Sequence, residues 1–229
     1  CKNSFNKKYL LNNHYLDNNP HYKDSDLVRI AKNAKFSMRE MPLYMALMKV
    51  KTYKKNIKLL DIGGGSGDHF FSIKNEIGDK DIEKYFICEM PYFLKYNEKY
   101  KLSPKISYIT TDSIKLLENS KIDIINISGT LQIIEKYHSL IKLIKKLKPK
   151  FIVLARTPIW ELKTMDVLHW MGGESNAVNA SRIFNNKEID KLFQPDYRKL
   201  STDFGSFDKP FVIPFGIFDY KSNIYELID

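Results

Sequence analysis

The chain lacks several things, and each absence narrows what it can be. No stretch approaches the ~18 consecutive apolar residues of a membrane-crossing helix, so a helical membrane protein is excluded. There are only 2 cysteines, Cys1 and Cys88. They are too far apart in sequence to form a chelating pair, so no metal site is expected and a reduced, cytoplasmic setting is the default. Arginine is scarce as well, with 5 of the 37 basic residues, although forked recognition of phosphate favours Arg over Lys. There is no internal repeat and no heptad run. The first residue is Cys1 rather than methionine, so the sequence reads as a trimmed fragment, with lipidation of Cys1 the less favoured alternative.

What is present fits one domain with appendages: 229 residues, 43% of them hydrophobic, which is enough for a substantial core. The net charge of +10 is uneven: residues 1–58 carry 13 Lys+Arg against 4 Asp+Glu, and the remainder carries 24 against 23. A basic arm suggests nucleic acid or another anionic partner. With so few arginines and no recognition motif, nucleic acid is the disfavoured partner.

Residues 1–20 are polar and rich in Asn. A first helix is expected to carry Leu27, Val28, Ile30 and Ala31, and a second to follow Pro42 with Leu43, Met45, Ala46, Leu47 and Val50 inward. Residues 1–55 thus read as an arm and helical cap, and 56–229 as the core. In that core, strands expected at Lys58–Ile62, Lys84–Glu89, Ile106–Thr110, Ile122–Ile127 and Phe151–Ala155 alternate with helices at His69–Ile77, Pro91–Tyr100, Ser113–Leu117 and Tyr137–Leu147. This is the rhythm of a doubly wound, mostly parallel α/β sheet covered on both faces. A further helix (Lys187–Phe193) and two closing strands (Tyr197–Thr202 and Ile213–Asp219) follow. The segment near 160–183 is too long for a plain connection and reads as a lid-like insertion.

The stretch Leu60-Asp61-Ile62-Gly63-Gly64-Gly65-Ser66-Gly67 is a buried strand, an acid at its end and a glycine turn before a helix. Ligands of such sheets sit outside the carboxyl ends of the strands. Gly63, Gly65 and Gly67 permit positive φ and close backbone approach, and the next helix offers free N–H groups to a carboxylate. A dinucleotide is disfavoured because Asp68 stands where G-x-G-x-x-G requires its last glycine, and a phosphate-loop pattern fails because no Gly-Lys-Ser/Thr follows. The D-x-G-x-G-x-G spacing points instead to S-adenosylmethionine. Asp61 is expected to orient its ammonium group directly or through water, Glu89 at the end of the second strand to accept from its ribose hydroxyls, and Asp112 after the third to accept from its adenine amino group. Gly64, Met90, Ser113 and Ser128, beside these positions, complete the expected cofactor contacts.

With Cys88-Glu89-Met90-Pro91, Ile127-Ser128-Gly129-Thr130-Leu131-Gln132 and Leu154-Ala155-Arg156-Thr157-Pro158 added, the chain resembles the class I, Rossmann-like S-adenosylmethionine-dependent methyltransferases. More narrowly, it is similar to a little-characterised bacterial methyltransferase family associated with surface-polysaccharide gene clusters. The resemblance spans residues 20–200 and implies a seven-stranded sheet in the order 3-2-1-4-5-7-6. It also implies cofactor contacts at Asp61, Gly63, Gly65, Glu89 and Asp112; it does not fix the acceptor, which is expected to be a small molecule such as a sugar or phosphorylated sugar precursor. After the Arg-Thr-Pro element the chain departs from that family and reads His169-Trp170-Met171-Gly172-Gly173.

On the acceptor side, Gln132, Arg156 and Thr157 are the expected substrate-binding residues, Arg156 as a clamp for phosphate or carboxylate. Its bland alternative is an ion pair with Asp123. If a hydroxyl is methylated, a base must take its proton, and His169, with Asp166 second, is the candidate. A nucleic-acid methyltransferase using the basic N-terminal segment is the alternative reading, but Ser128-Gly129-Thr130-Leu131 stands where an amino-methylase would carry an Asn/Asp/Ser-Pro-Pro-aromatic tetrapeptide. A non-catalytic cofactor binder is the third reading, against which all three strand-end acids are present.

Overall fold

The computed structural model describes residues 24–170, 178–201, 211–213 and 216–228. The polar arm 1–20, and Gly172 and Gly173 of the expected lid, lie outside them. Two helices open the described chain, α1 (Asp24–Lys32) and α2 (Met41–Lys51, with Pro42 in its first turn). Then come β1 (Ile57–Ile62), α3 (Asp68–Ile77), β2 (Ile82–Cys88), α4 (Tyr96–Tyr100), β3 (Ile106–Ile109), β4 (Ile124–Ser128), α5 (Tyr137–Lys146) and β5 (Phe151–Trp160). The last part holds β6 (Met165–Trp170), β7 (Val178–Asn185), α6 (Asn186–Phe193), β8 (Tyr197–Ser201), β9 (Phe211–Ile213) and β10 (Gly216–Leu227).

The sheet is mixed. Its main path runs β3-β2-β1-β4-β5-β10-β8, parallel from β3 to β5 and antiparallel where β10 meets β5 and β8. The expected seven strands become ten, because β6, β7 and β9 pair off this path. The segment expected as a lid is in part a β-hairpin: β6 and β7 are antiparallel, and β7 also runs parallel to the end of β5 through Ile159 and Trp160. The closing strand expected at Ile213–Asp219 straddles the β9–β10 pairing, and β10 continues to Leu227. Two expected helices are tighter than α: Pro91–Lys95 and Thr111–Leu117 form 3-10 turns, the first leading into α4.

Alternation along the strands divides the core. Ile57, Leu59, Tyr85, Ile87, Ile124 and Val153 face α1, α2 and α3, with Val28, Leu47, Val50, Phe70 and Ile73 packed on them. Leu60, Ile62, Ile125, Ile127, Leu154 and Tyr225 face the other way, toward Leu140, Ile141 and Ile144 of α5 and Ile189 and Phe193 of α6. One inward assignment is corrected: Met45 is 45% exposed, because α2 turns that position to the solvent side, as α1 does with Ile30 at 50%.

Candidate functional site

β1 ends in a glycine loop whose shape follows from its hydrogen bonds. The N–H of Gly63 donates to the Cys88 carbonyl at 2.9 Å and that of Gly67 to the Gly64 carbonyl at 2.9 Å. The Gly65 N–H donates to Glu89 Oε1 at 3.0 Å, and its carbonyl accepts from the Tyr108 hydroxyl at 2.9 Å. Gly63 has φ +75°, and a Cβ there would fall on the Thr130 side chain, which follows β4. Gly64 is required for a different reason: a Cβ there would strike the Asp61 carboxylate. Above Gly65 (φ +51°) the space is open, with nothing nearer than 3.9 Å to a built Cβ. Gly67, in the left-handed region at φ +87°, occupies the N-cap of α3.

Asp61 is 1% exposed and lies against Gly64, where a built Cβ would come within 2.6 Å of its Oδ2. Its Oδ2 accepts from the Tyr85 hydroxyl at 2.8 Å and lies 2.9 Å from His69 Nδ1, and its Oδ1 accepts from Asn126 Nδ2 at 2.8 Å. Burial pulls the His69 pKa down, but the charge and hydrogen bond of Asp61, with Asp68 and Glu40 beyond it, lift it to about 9. At neutral pH, His69 is therefore an imidazolium paired with a buried carboxylate. Burial, reinforced by Asp61, holds the Tyr85 hydroxyl well above its ordinary range. His69, Tyr85 and Asn126 escaped the sequence reading. The available signals were a histidine in the first turn after the loop and a lone Asn in the apolar run of β4, whose register sets Asn126 directly beside Asp61.

Glu89 stands where expected, just past β2. Its second oxygen accepts from the Met90 N–H at 3.0 Å. Burial raises its pKa, an effect that the hydrogen bonds from Met90 and Gly65 offset only in part. Asp112 and Ser113 lie in the 3-10 turn after β3, with Asp112 exposed and the Ser113 hydroxyl 3.1 Å from that of Thr110. Cys88 is a buried thiol that burial pushes up to about 11, so it is no nucleophile at neutral pH. No cluster of metal ligands occurs among the described residues, and no described helix is long and apolar enough to cross a membrane.

The acceptor-side residues separate. Ser128 ends β4, and Gln132 Nε2 donates to the Gly129 carbonyl at 2.9 Å. Arg156 has φ +50° at a bulge where its N–H donates to Ser222 Oγ at 3.2 Å, against a register shift in β10. Its guanidinium lies over Gly129, with Nη1 3.7 Å from a Cβ built there, and has no ion-pair partner among the described residues. The alternative pairing with Asp123 does not occur: Asp123 is held by Lys54 Nζ at 2.6 Å and by the Lys58 N–H, at the opposite end of β4. Thr157 is corrected as a substrate contact, because it is fully buried with its hydroxyl turned to the Ala155 carbonyl. Asp166 is engaged with Arg182, Oδ1 to Nε at 2.7 Å. His169 lies on β6 rather than on a helix, opposite Asn179; its side chain is outside what is described. A larger cavity of about 410 Å³ borders His138, Lys142, Lys145 and Asp196 on the α5–α6 face and includes none of the strand-end residues.

No protein-family model matches the chain, and no curated protein matches it in sequence. Solved structures do match. The N-terminal domain of EvdMO1, determined in the presence of SAH and D-fucose, has a TM-score of 0.56 at 12% identity, over 90% of this chain and 98% of its own. A SAM-bound amino pentose methyltransferase from Micromonospora echinaspora gives 0.56 at 11% identity, over 92% and 99%. The glycopeptide N-methyltransferase MtfA, complexed with SAM, gives 0.54 at 8%, over 85% and 97%. At such identities the likeness is one of fold: this chain has the Rossmann-like fold of those methyltransferases.

Proposed function

We propose that the chain is an S-adenosylmethionine-dependent methyltransferase acting on a small molecule, by O-methylation of a sugar or phosphorylated sugar precursor. The observation that carries the cofactor reading is Glu89. Its carboxylate is bound to two backbone N–H groups at the lip of a glycine loop whose crown, at Gly65, is open to an approaching ligand. A carboxylate so fixed keeps acceptor capacity for a vicinal diol. When bound, the cofactor supplies an electrophilic methyl on a sulfonium together with its leaving group. The protein has to orient the acceptor in line and exclude water. Gly63, Gly65 and Gly67 give the backbone its close approach, and Glu89 holds the ribose. Arg156 offers an uncommitted guanidinium beside Gly129, suited to an anionic part of the acceptor. Of the two proposed bases, His169 and Asp166, Asp166 is the one with a described carboxylate on the acceptor side. A sugar acceptor accords with the EvdMO1 domain solved with D-fucose and with the amino pentose methyltransferase.

Calorimetric titration with S-adenosylmethionine tests the reading. One molecule should bind per chain, and Glu89→Ala should weaken binding by roughly ten- to a hundredfold, the value of hydrogen bonds to a charged group. No binding to the unaltered protein would end the proposal.

A further inference from the structure

A cavity of about 200 Å³ opens between the turn after β4 and the β6–β7 hairpin, lined by Gln132, Ile134, Asp166, Ala180, Ser181 and Arg182. It adjoins the glycine loop through one chain of contacts. Thr130 packs on Gly63, and Gln132, two residues on, is tied back to the Gly129 carbonyl over which Arg156 lies.

One buried acceptor of this cavity lacks a donor, and a carboxylate stands beside it. Gln132 is 9% exposed, and its Oε1 is buried with no hydrogen-bond partner. The amide is not simply reversed, because its Nε2 already donates to a carbonyl. Asp166 meets Arg182 through Oδ1 and is 54% exposed, so its carboxylate keeps acceptor capacity on the side of the cavity. Arg182, the cavity's cation, is already satisfied: Nε is on Asp166, Nη1 donates to the Ile134 carbonyl at 3.3 Å, and the guanidinium lies 4.5 Å over the Tyr137 ring. Glu135 adds a further negative charge to the lining. A phosphate or carboxylate would be repelled here, whereas hydroxyl or ammonium hydrogens would complete the unmet Gln132 acceptor and pair with the Asp166 carboxylate.

We infer that this cavity is the subsite for a hydrogen-bond-donating, non-anionic ring of the acceptor, a polyol or amino sugar. Gln132 and Asp166 receive its donors, and any anionic portion is left to Arg156 outside the cavity. This rests on the methyltransferase reading for its place in a reaction, but not for binding itself.

Saturation-transfer NMR on the full chain tests it, with D-glucose, D-glucosamine and glucose 6-phosphate as probes and S-adenosylhomocysteine titrated separately. The two uncharged-or-cationic sugars should bind, and Gln132→Leu or Asp166→Asn should each lower their affinity about fivefold, the value of one net hydrogen bond. Asp166→Asn, on the exposed face of a hairpin, keeps the test meaningful if the buried Gln132 variant fails to fold. If S-adenosylhomocysteine binds and the sugars do not, the subsite is wrong and the cofactor reading survives. Sugar binding without S-adenosylhomocysteine binding would support the subsite and sink the cofactor reading. Affinity unchanged in both variants would overturn the subsite assignment.

Discussion

The two halves of the strand-end site are built on opposite terms. Around the glycine loop, most polar groups already meet protein partners. Asp61 meets His69, Tyr85 and Asn126, Glu89 meets two backbone N–H groups, and Tyr108 fixes the Gly65 carbonyl. Of the buried atoms in that network only Asn126 Oδ1 lacks a partner, and the half-buried Glu89 carboxylate keeps acceptor capacity at the rim. Past β4 and β5, Gln132 Oε1 is buried without a partner, the exposed Arg156 guanidinium has no ion pair among the described residues, and the Asp166 carboxylate is half open to solvent beside Arg182. The first half is a rigid cradle whose shape is fixed before any ligand arrives. The second holds donors and acceptors open to a ligand, of which the buried Gln132 Oε1 carries a cost in stability that a ligand would relieve.

The contrast predicts unequal responses to mutation. The largest is expected for Asp61→Ala, which strips the part-buried His69 imidazolium of its counter-charge and leaves Tyr85 and Asn126 without their acceptor. Urea unfolding should show a loss of about 3–5 kcal/mol, and a loss under about 1 kcal/mol would break the contrast. Next is the pH dependence of the same pair. The folded pKa of His69, about 9, lies above its ordinary 6.5, so its stabilisation is complete below about pH 6.5 and is lost as pH rises through about 9. Unfolding free energies measured across that window should fall by about 3 kcal/mol, and His69→Gln should flatten the profile. The smallest response belongs to the other half. Asp166 is 54% exposed, so Asp166→Asn should change stability by no more than about 1 kcal/mol. A larger loss would mean that the hairpin pair supports the fold rather than a ligand.

The same division explains what could be read in advance. β1 to β4, the start of β5 and the glycine loop are encoded locally, in apolar runs, and lie within a few residues of where the sequence places them, although β5 runs on past Ala155 to Trp160. The network around Asp61 was not legible, because it depends on Asn126, 65 residues away in sequence, and on a helix folding back over its own loop. The hairpin was missed for another reason. β6 exposes Leu168 at 63%, so its burial carries little of the half-apolar alternation that marks a strand, and its pairing with Arg182 and Ile183 bridges a long intervening stretch. Thr157 and Arg156 adjoin in sequence, yet the bulge at Arg156 leaves one buried and the other exposed. A residue-type argument has no access to that distinction.

The place of β10 has a consequence in time. It lies between β5 and β8 although it follows both in the chain. During synthesis, β5 therefore emerges with β4 on one edge and its other edge unpaired for some sixty residues, and β8 has no main-chain neighbour until β10 arrives. The parallel half can assemble early. The antiparallel half must wait for one late strand, and its exposed, apolar edge is where misassociation between nascent chains would begin.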